Sequence, residues 1–258
     1  MTYSQSALLG AIQGFTEFLP VSSSAHLALA PRFFSFTDPG LTFDVGLHLG
    51  TLAAVLIYYR ETWTRMLVGA ARDPRGDEGR NLALIALATL PAVVVGLLFE
   101  KAAEDAFRDP RRIGLCLIAF SGVMVWAERS ARHALDWRAA GARTLLLVGA
   151  AQALAVMPGV SRSGATISAA LLLGIKAPQA AELSFLMATP IVAGAAILKL
   201  RHLGLGDVDG IFLLGIAVSA ATGLAAVGAF IRFLPRGGFK PYVVYRVALG
   251  LAALFLAR

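Results

Sequence analysis

Residues 156–168 read VMPGVSRSGATIS, and Arg162 at their centre is the one charge in the run from Thr144 to Ile175. A guanidinium at bilayer depth costs roughly 2.5 kcal/mol or far more, so it needs an anion or water. The surrounding residues suit an oxyanion. Pro158 and Gly159 break one helical arm, and Ser161, Ser163 and Thr166 open the next with hydroxyl donors. Free N–H groups and the positive dipole end of a helix start attract phosphate. Arginine adds a planar fork that matches two phosphate oxygens. A second stretch, EFLPVSSSAH at 17–26, supplies the complementary chemistry: Glu17, the serines Ser22 and Ser23, and His26. A carboxylate, an imidazole and hydroxyls in one turn offer a base, a nucleophile and oxygen ligands for a hard cation. Arg162 and Glu17 could also form a structural pair between the two stretches. Together the residues fit hydrolysis, or transport, of a phosphate ester whose tail stays in lipid.

Both stretches must be held at depth. The chain is 57% hydrophobic and 15% charged, with a mean hydropathy of +0.72. Soluble domains carry about 25% charge. Charge-free runs at Asn81–Phe99, Ile113–Ala127, Leu183–Leu198 and Gly210–Ile231 approach the roughly 20 apolar residues of a membrane span. The expectation is an all-α polytopic membrane protein, one domain over 1–258, with six spans near 41–59, 81–99, 112–128, 180–199, 210–232 and 241–257. The sequence pI near 10.1 reflects basic loops between spans; no nucleic-acid motif accompanies it. The N-terminus lacks the basic start of a cleavable signal. Cys116, the single cysteine, excludes a disulfide framework.

Segments 4–31 and 144–175 remain, each with two apolar arms meeting at a proline and serines. Arms of 10–14 residues are too short to cross and suit re-entrant hairpins. Shifted by 139 residues the segments align without gaps. Gly10/Gly149, Gln13/Gln152, Val21/Val160, Ser22/Ser161 and Ser24/Ser163 are among the identities. Each half (about 1–130 and 140–258) then holds one hairpin and three spans. An odd number of spans inverts the second half, so the tips meet near the midplane. Loops 60–80, 129–143, 176–179 and 232–240 carry more Lys and Arg than the opposite face, which places both termini outside.

Other intramembrane polar residues read less sharply. His48 fits a hydrogen-bonded packing residue. Asp44 and Glu182 either line a cavity or cap a span, and Arg246 snorkels or pairs. The pairs Gly10/Gly14 and Gly46/Gly50 could pack helices within one chain or between two copies in a homodimer.

The two stretches closely resemble the signatures of the bacterial undecaprenyl-diphosphate phosphatase family, which is linked with bacitracin resistance. Gln13 to His26 matches [E/Q]-x-x-x-E-F-L-P-[VI]-S-S-x-x-H, and Pro158 to Thr166 matches P-G-x-S-R-S-x-x-T. TFDVGLHLGTLAAVL and AELSFLMATPIVAGA look like further family blocks. The resemblance implies cleavage of the terminal phosphate of undecaprenyl diphosphate, renewing the carrier for cell-wall synthesis. It implies Mg²⁺ or Ca²⁺, the bacterial inner membrane and a site facing the periplasm. Carried across, Glu17 is a base or metal ligand, and Gln13 binds substrate and can join Glu17 on the metal through its carbonyl. Ser23 is the nucleophile with His26 as base, or His26 is itself the nucleophile. Arg162 clamps the diphosphate, and Ser22, Ser161, Ser163 and Thr166 bind it. Gln13 is the neutral option at its motif position and cannot take a proton, which shifts the base role to Glu17 or His26. A lipid flippase using the same phosphate site is the alternative.

Overall fold

The computed structural model describes residues 1–99, 109–132, 134–200 and 208–257, and these are overwhelmingly α-helical. Loops 101–112 and 199–207, which belong to the less basic face in the orientation expected from the sequence, fall largely outside them.

The first hairpin is α1 (Tyr3–Phe18) and α2 (Ser23–Phe33). Thr2 caps α1 through a reciprocal capping box with Gln5. Leu19 precedes Pro20 and leaves the helical region at φ −70°, ψ 143°, as the residue before proline must. At 1.5 Å per residue, the 16 residues of α1 and 11 of α2 fall short of the roughly 30 Å hydrocarbon core. The second hairpin is α7 (Ala142–Ala151), a 3₁₀ turn (Gln152–Val156) and α8 (Arg162–Leu172). Its first arm thus ends in a tighter helix than its counterpart.

Between and after the hairpins run α3 (Leu41–Tyr58), α4 (Arg60–Arg72), α5 (Asp77–Leu98), α6 (Pro110–Ser130), α9 (Ala177–Leu200), α10 (Gly210–Gly237) and α11 (Lys240–Leu256). Asp109 and Asp209 cap α6 and α10 by accepting N–H bonds from Arg111 and Phe212. Among the described residues, α3, α5, α6, α9 and α10 are long and apolar enough to cross a membrane. The sixth expected span, 241–257, is the 17-residue α11, at the lower limit of spanning length.

The halves interlock. α10 packs against α1 and α3, while α5 packs against α7. Glycines permit these approaches. A Cβ on Gly10 would lie 2.4 Å from the Gly215 carbonyl oxygen, and one on Gly14 would meet Thr222 and Ser219. Gly50 presses on the Ile216 carbonyl in the same way. Both glycine pairs are therefore used inside one chain. Gly149, aligned with Gly10, sits against the Ala88 carbonyl of α5. α3 packs on α9 and α6 on α11, so the hairpin tips are enclosed by helices of both halves.

Candidate active site

The tips meet around a buried carboxylate. Glu17 ends α1, where Gln13, one turn earlier, donates from Nε2 to Glu17 Oε2 at 3.0 Å. Ser23 begins α2, and its hydroxyl donates to the same oxygen at 2.6 Å. From the opposite tip, Arg162 Nη2 donates to Glu17 Oε1 at 2.7 Å. Arg162 Nη1 donates to the Ser184 carbonyl of α9 at 2.9 Å, which fixes the plane of the fork. His48 of α3 brings Nε2 to 3.4 Å from Glu17 Oε2. Its Nδ1 lies 2.7 Å from the Asp44 carbonyl oxygen. A carbonyl only accepts, so Nδ1 carries the proton and Nε2 is the bare nitrogen in the neutral ring.

Ser22 and Ser161, which fall together when the sequence is shifted by 139 residues, share an unusual backbone. Their φ values are 74° and 76°, in a region that non-glycine residues rarely occupy and that costs on the order of 1–3 kcal/mol. Each immediately precedes a helix, α2 or α8, whose first turn lies at the site. Ser161 Oγ accepts from Gly164 N at 3.1 Å. Ser22 makes no such cap, so the first N–H groups of α2 remain available to an anion.

The strained turns are tied to each other. Gly159 N donates to Ser22 Oγ at 3.0 Å, and Ser163 Oγ donates to the Leu19 carbonyl at 3.1 Å. Fully buried Arg246 of α11 reaches both tips, donating to Pro20 O at 3.0 Å and Gly159 O at 2.6 Å. It also bonds Ser121 Oγ and the Leu117 carbonyl. Here a buried cation is satisfied by neutral oxygens, and it is the partner of the Pro20 and Gly159 carbonyls at the two tips.

A cavity of about 320 Å³ opens over this centre, lined by Glu17, Ser22, Ser23, His48, Ser161 and Arg162. Its remaining wall is mostly apolar, from Leu41 and Val45 of α3, Ala92 and Gly96 of α5, and Ile191, Val192 and Ala195 of α9. A larger hollow of about 630 Å³ between α4 and α5 is lined by exposed residues such as Arg60 and Arg72 and contains no motif residue. Residues 6–252 match the family described as bacitracin resistance protein BacA. The chain is 44% identical to the undecaprenyl-diphosphatase of Moorella thermoacetica, over all of this chain and 98% of that protein. It is 42% identical to the Elusimicrobium minutum protein of that name, covering 100% and 99%, and 43% to the Alcanivorax borkumensis one, covering 99% of each.

The chain belongs to the BacA family.

In this BacA chain the structure brings together Gln13, Glu17, Ser22, Ser23, Ser161 and Arg162. It leaves His26 outside the cavity lined by Glu17, Ser22, Ser23, Ser161 and Arg162. His26 Nδ1 lies 2.7 Å from the Ser22 carbonyl, and Nε2 is 2.7 Å from the Tyr245 hydroxyl, with the rings stacked. His26 therefore braces the Ser22 turn from behind. The histidine at the carboxylate is His48, which the sequence reading set aside as a packing residue. Its family block, TFDVGLHLGT, was the available signal; the face it presents was not. Ser163 and Thr166, expected to bind substrate, also turn away from the cavity. Ser163 ties the tips, and Thr166 Oγ1 lies 2.9 Å from the Arg162 carbonyl and 2.7 Å from Ser184 Oγ. Glu182 lies beyond the first turn of α9 and pairs with Arg138, so it neither lines the cavity nor caps the span.

The cation implied by the resemblance fits the BacA donor set in kind. Among the described residues no three His, Cys, Asp or Glu side chains cluster for a metal. Mg²⁺, however, commonly uses one or two carboxylates with waters and substrate phosphates. Gln13 Oε1, buried with no hydrogen-bond partner, sits on the amide that bonds Glu17. Those two side chains are the ones that would hold the ion.

Proposed function

We propose that this membrane protein hydrolyses undecaprenyl diphosphate to undecaprenyl phosphate and phosphate, as the names of its relatives state for them. The observation that carries the reading is the Ser23–Glu17–Arg162 chain: a hydroxyl 2.6 Å from a carboxylate that a guanidinium meets at 2.7 Å. A carrier needs cationic groups and donors, not a nucleophile with its base in hydrogen-bond contact, and the relatives named above carry the name of a diphosphatase.

Ser23 Oγ attacks the terminal phosphorus while its proton passes to Glu17 Oε2. The new Oγ–P bond forms as the bridging P–O bond breaks, and undecaprenyl phosphate leaves. Water then attacks the phosphoserine, the Oγ–P bond breaks as Glu17 returns its proton to Ser23 Oγ, and the water's protons leave with the inorganic phosphate as H2PO4−. Arg162 and the N-termini of α2 and α8 stabilise negative charge on the transferring phosphoryl group. A Mg²⁺ or Ca²⁺ at Glu17 and Gln13 would add charge neutralisation on the diphosphate. His48, within reach of Glu17, is placed to relay the proton.

The cavity lies at the N-terminal end of α3 and the C-terminal halves of α5 and α9. By the loop charges this is the outer end, which supports a site facing the periplasm of the inner membrane. The aligned backbone of Ser22 and Ser161 and the crossed packing of α10 and α5 support the inverted repeat. The apolar wall between α5 and α9 gives the polyprenyl tail a route into lipid.

Phosphate release from farnesyl diphosphate by the purified protein in detergent tests the reading, since no gradient exists there. Release dependent on Ser23 and Glu17 is expected. Binding of the diphosphate without any release would contradict it.

A further inference from the structure

Gln152 is 2% exposed, and neither its Nε2 nor its Oε1 has a hydrogen-bond partner. It nevertheless lines the cavity shared by Glu17, Ser23 and Arg162. Leaving both ends of an amide buried and unpaired is costly, and native structures rarely keep such a group without a reason.

The repeat explains why this amide is orphaned. Gln13, its counterpart, bonds the carboxylate one turn later at Glu17. The residue one turn after Gln152 is Val156, which accepts nothing. The helix also tightens to 3₁₀ at Gln152, and Ala153, Ala155 and Val156 line the cavity beside it. One glutamine of the pair is thus committed to the base, and the other is left facing the space where substrate must sit. Across that space stand Arg162 and Ser23. A group that binds between a guanidinium and a nucleophilic hydroxyl is anionic and rich in oxygen, and an amide N–H donates to such oxygens.

We propose that Gln152 is a substrate-binding residue whose Nε2 donates to a phosphate oxygen of the diphosphate held between Arg162 and Ser23. The assignment rests on the hydrolase reading and adds a contact from the second hairpin's first arm, so both arms of that hairpin hold the headgroup.

The test uses the purified full chain in detergent, with methylene diphosphonate as an uncleavable probe. Gln152→Met keeps the length and removes both polar atoms; Gln152→Glu keeps the shape and replaces the donor with an acceptor. Calorimetric affinity and the ligand-free thermal midpoint are measured for each. Gln152→Met is expected to melt at or above the parent's midpoint, because the orphan is gone, and to bind about tenfold more weakly, as loss of a bond to a charged group implies. Gln152→Glu should bind more weakly still. Its KM for farnesyl diphosphate should rise more than its kcat falls. Parental affinity in either folded variant overturns the proposal, as does a lowered midpoint that accounts for the lost binding. If Gln152→Met does not fold, Gln152→Glu decides by the same affinity criterion. A parent that binds the probe but releases no phosphate from lipid diphosphates sinks the hydrolase reading instead; a parent that fails to bind the probe sinks the Gln152 contact.

Discussion

Glu17 and Arg162, 145 residues apart in sequence, meet at 2.7 Å, each delivered by the tip of a different hairpin. Neither is bound by charge alone. Ser23 and Gln13 converge on the other Glu17 oxygen, and the Ser184 carbonyl holds the second arm of the Arg162 fork. The pair therefore fixes the distance between the nucleophile and the phosphate clamp.

Replacing Arg162 by Lys keeps the charge and loses the fork. One ammonium cannot serve Glu17, the Ser184 carbonyl and a phosphate with the same geometry. Turnover of farnesyl diphosphate should fall by roughly a hundredfold or more, with the variant still inserted in membranes. Parental kcat in the purified variant would remove the clamp from the mechanism.

The two histidines should behave differently. His48→Leu removes the proton acceptor near Glu17 and should lower kcat by roughly tenfold to a hundredfold with little change in thermal midpoint. His26→Leu removes the brace on the Ser22 carbonyl and the bond to Tyr245, so midpoint and kcat should fall together. Scanning calorimetry beside steady-state kinetics separates the patterns.

Arg246→Met would orphan the carbonyls of Pro20 and Gly159. Hydrogen bonds to a charged donor contribute about 1.5–3 kcal/mol each, so a loss of roughly 3 kcal/mol or more is expected, read as a lowered thermal midpoint. An unchanged midpoint would show that the tips hold together without it.

Gly96 lines the cavity, and a Cβ added there meets nothing within 4 Å. Gly96→Leu should therefore fold normally while narrowing the route between α5 and α9. Turnover of undecaprenyl diphosphate should fall by about tenfold, on the scale of a blocked apolar contact, and that of the shorter farnesyl diphosphate by less. Equal losses for both chain lengths would place the tail elsewhere.

The sequence made the hairpins readable because proline and serine interrupt apolar arms too short to cross. It made Glu17 and Arg162 readable because each stands out in an apolar setting that demands a partner. What it could not supply was the face each side chain takes. Ser163 is adjacent to Arg162 but about 100° around the helix, so a motif that looks uniform divides into one residue at the cavity and one tying the tips. His48 and Arg246 lie on helices remote in sequence from both motifs, and only packing assigns them to the site. The orphaned amide of Gln152 is invisible in one dimension, because its identity with Gln13 suggests a bond that Val156 cannot accept.

Quenching with neutral detergent denaturant during turnover of farnesyl diphosphate labelled in its terminal phosphate, followed by peptide mapping and by acid and alkali treatment of separate portions, tests the central claim most directly. The account predicts an acid-stable, alkali-labile phosphate on Ser23 that is absent from Ser23→Ala, which should itself be inactive. Label on His26 or His48, or a Ser23→Ala variant that turns over at the parent's rate, would contradict it.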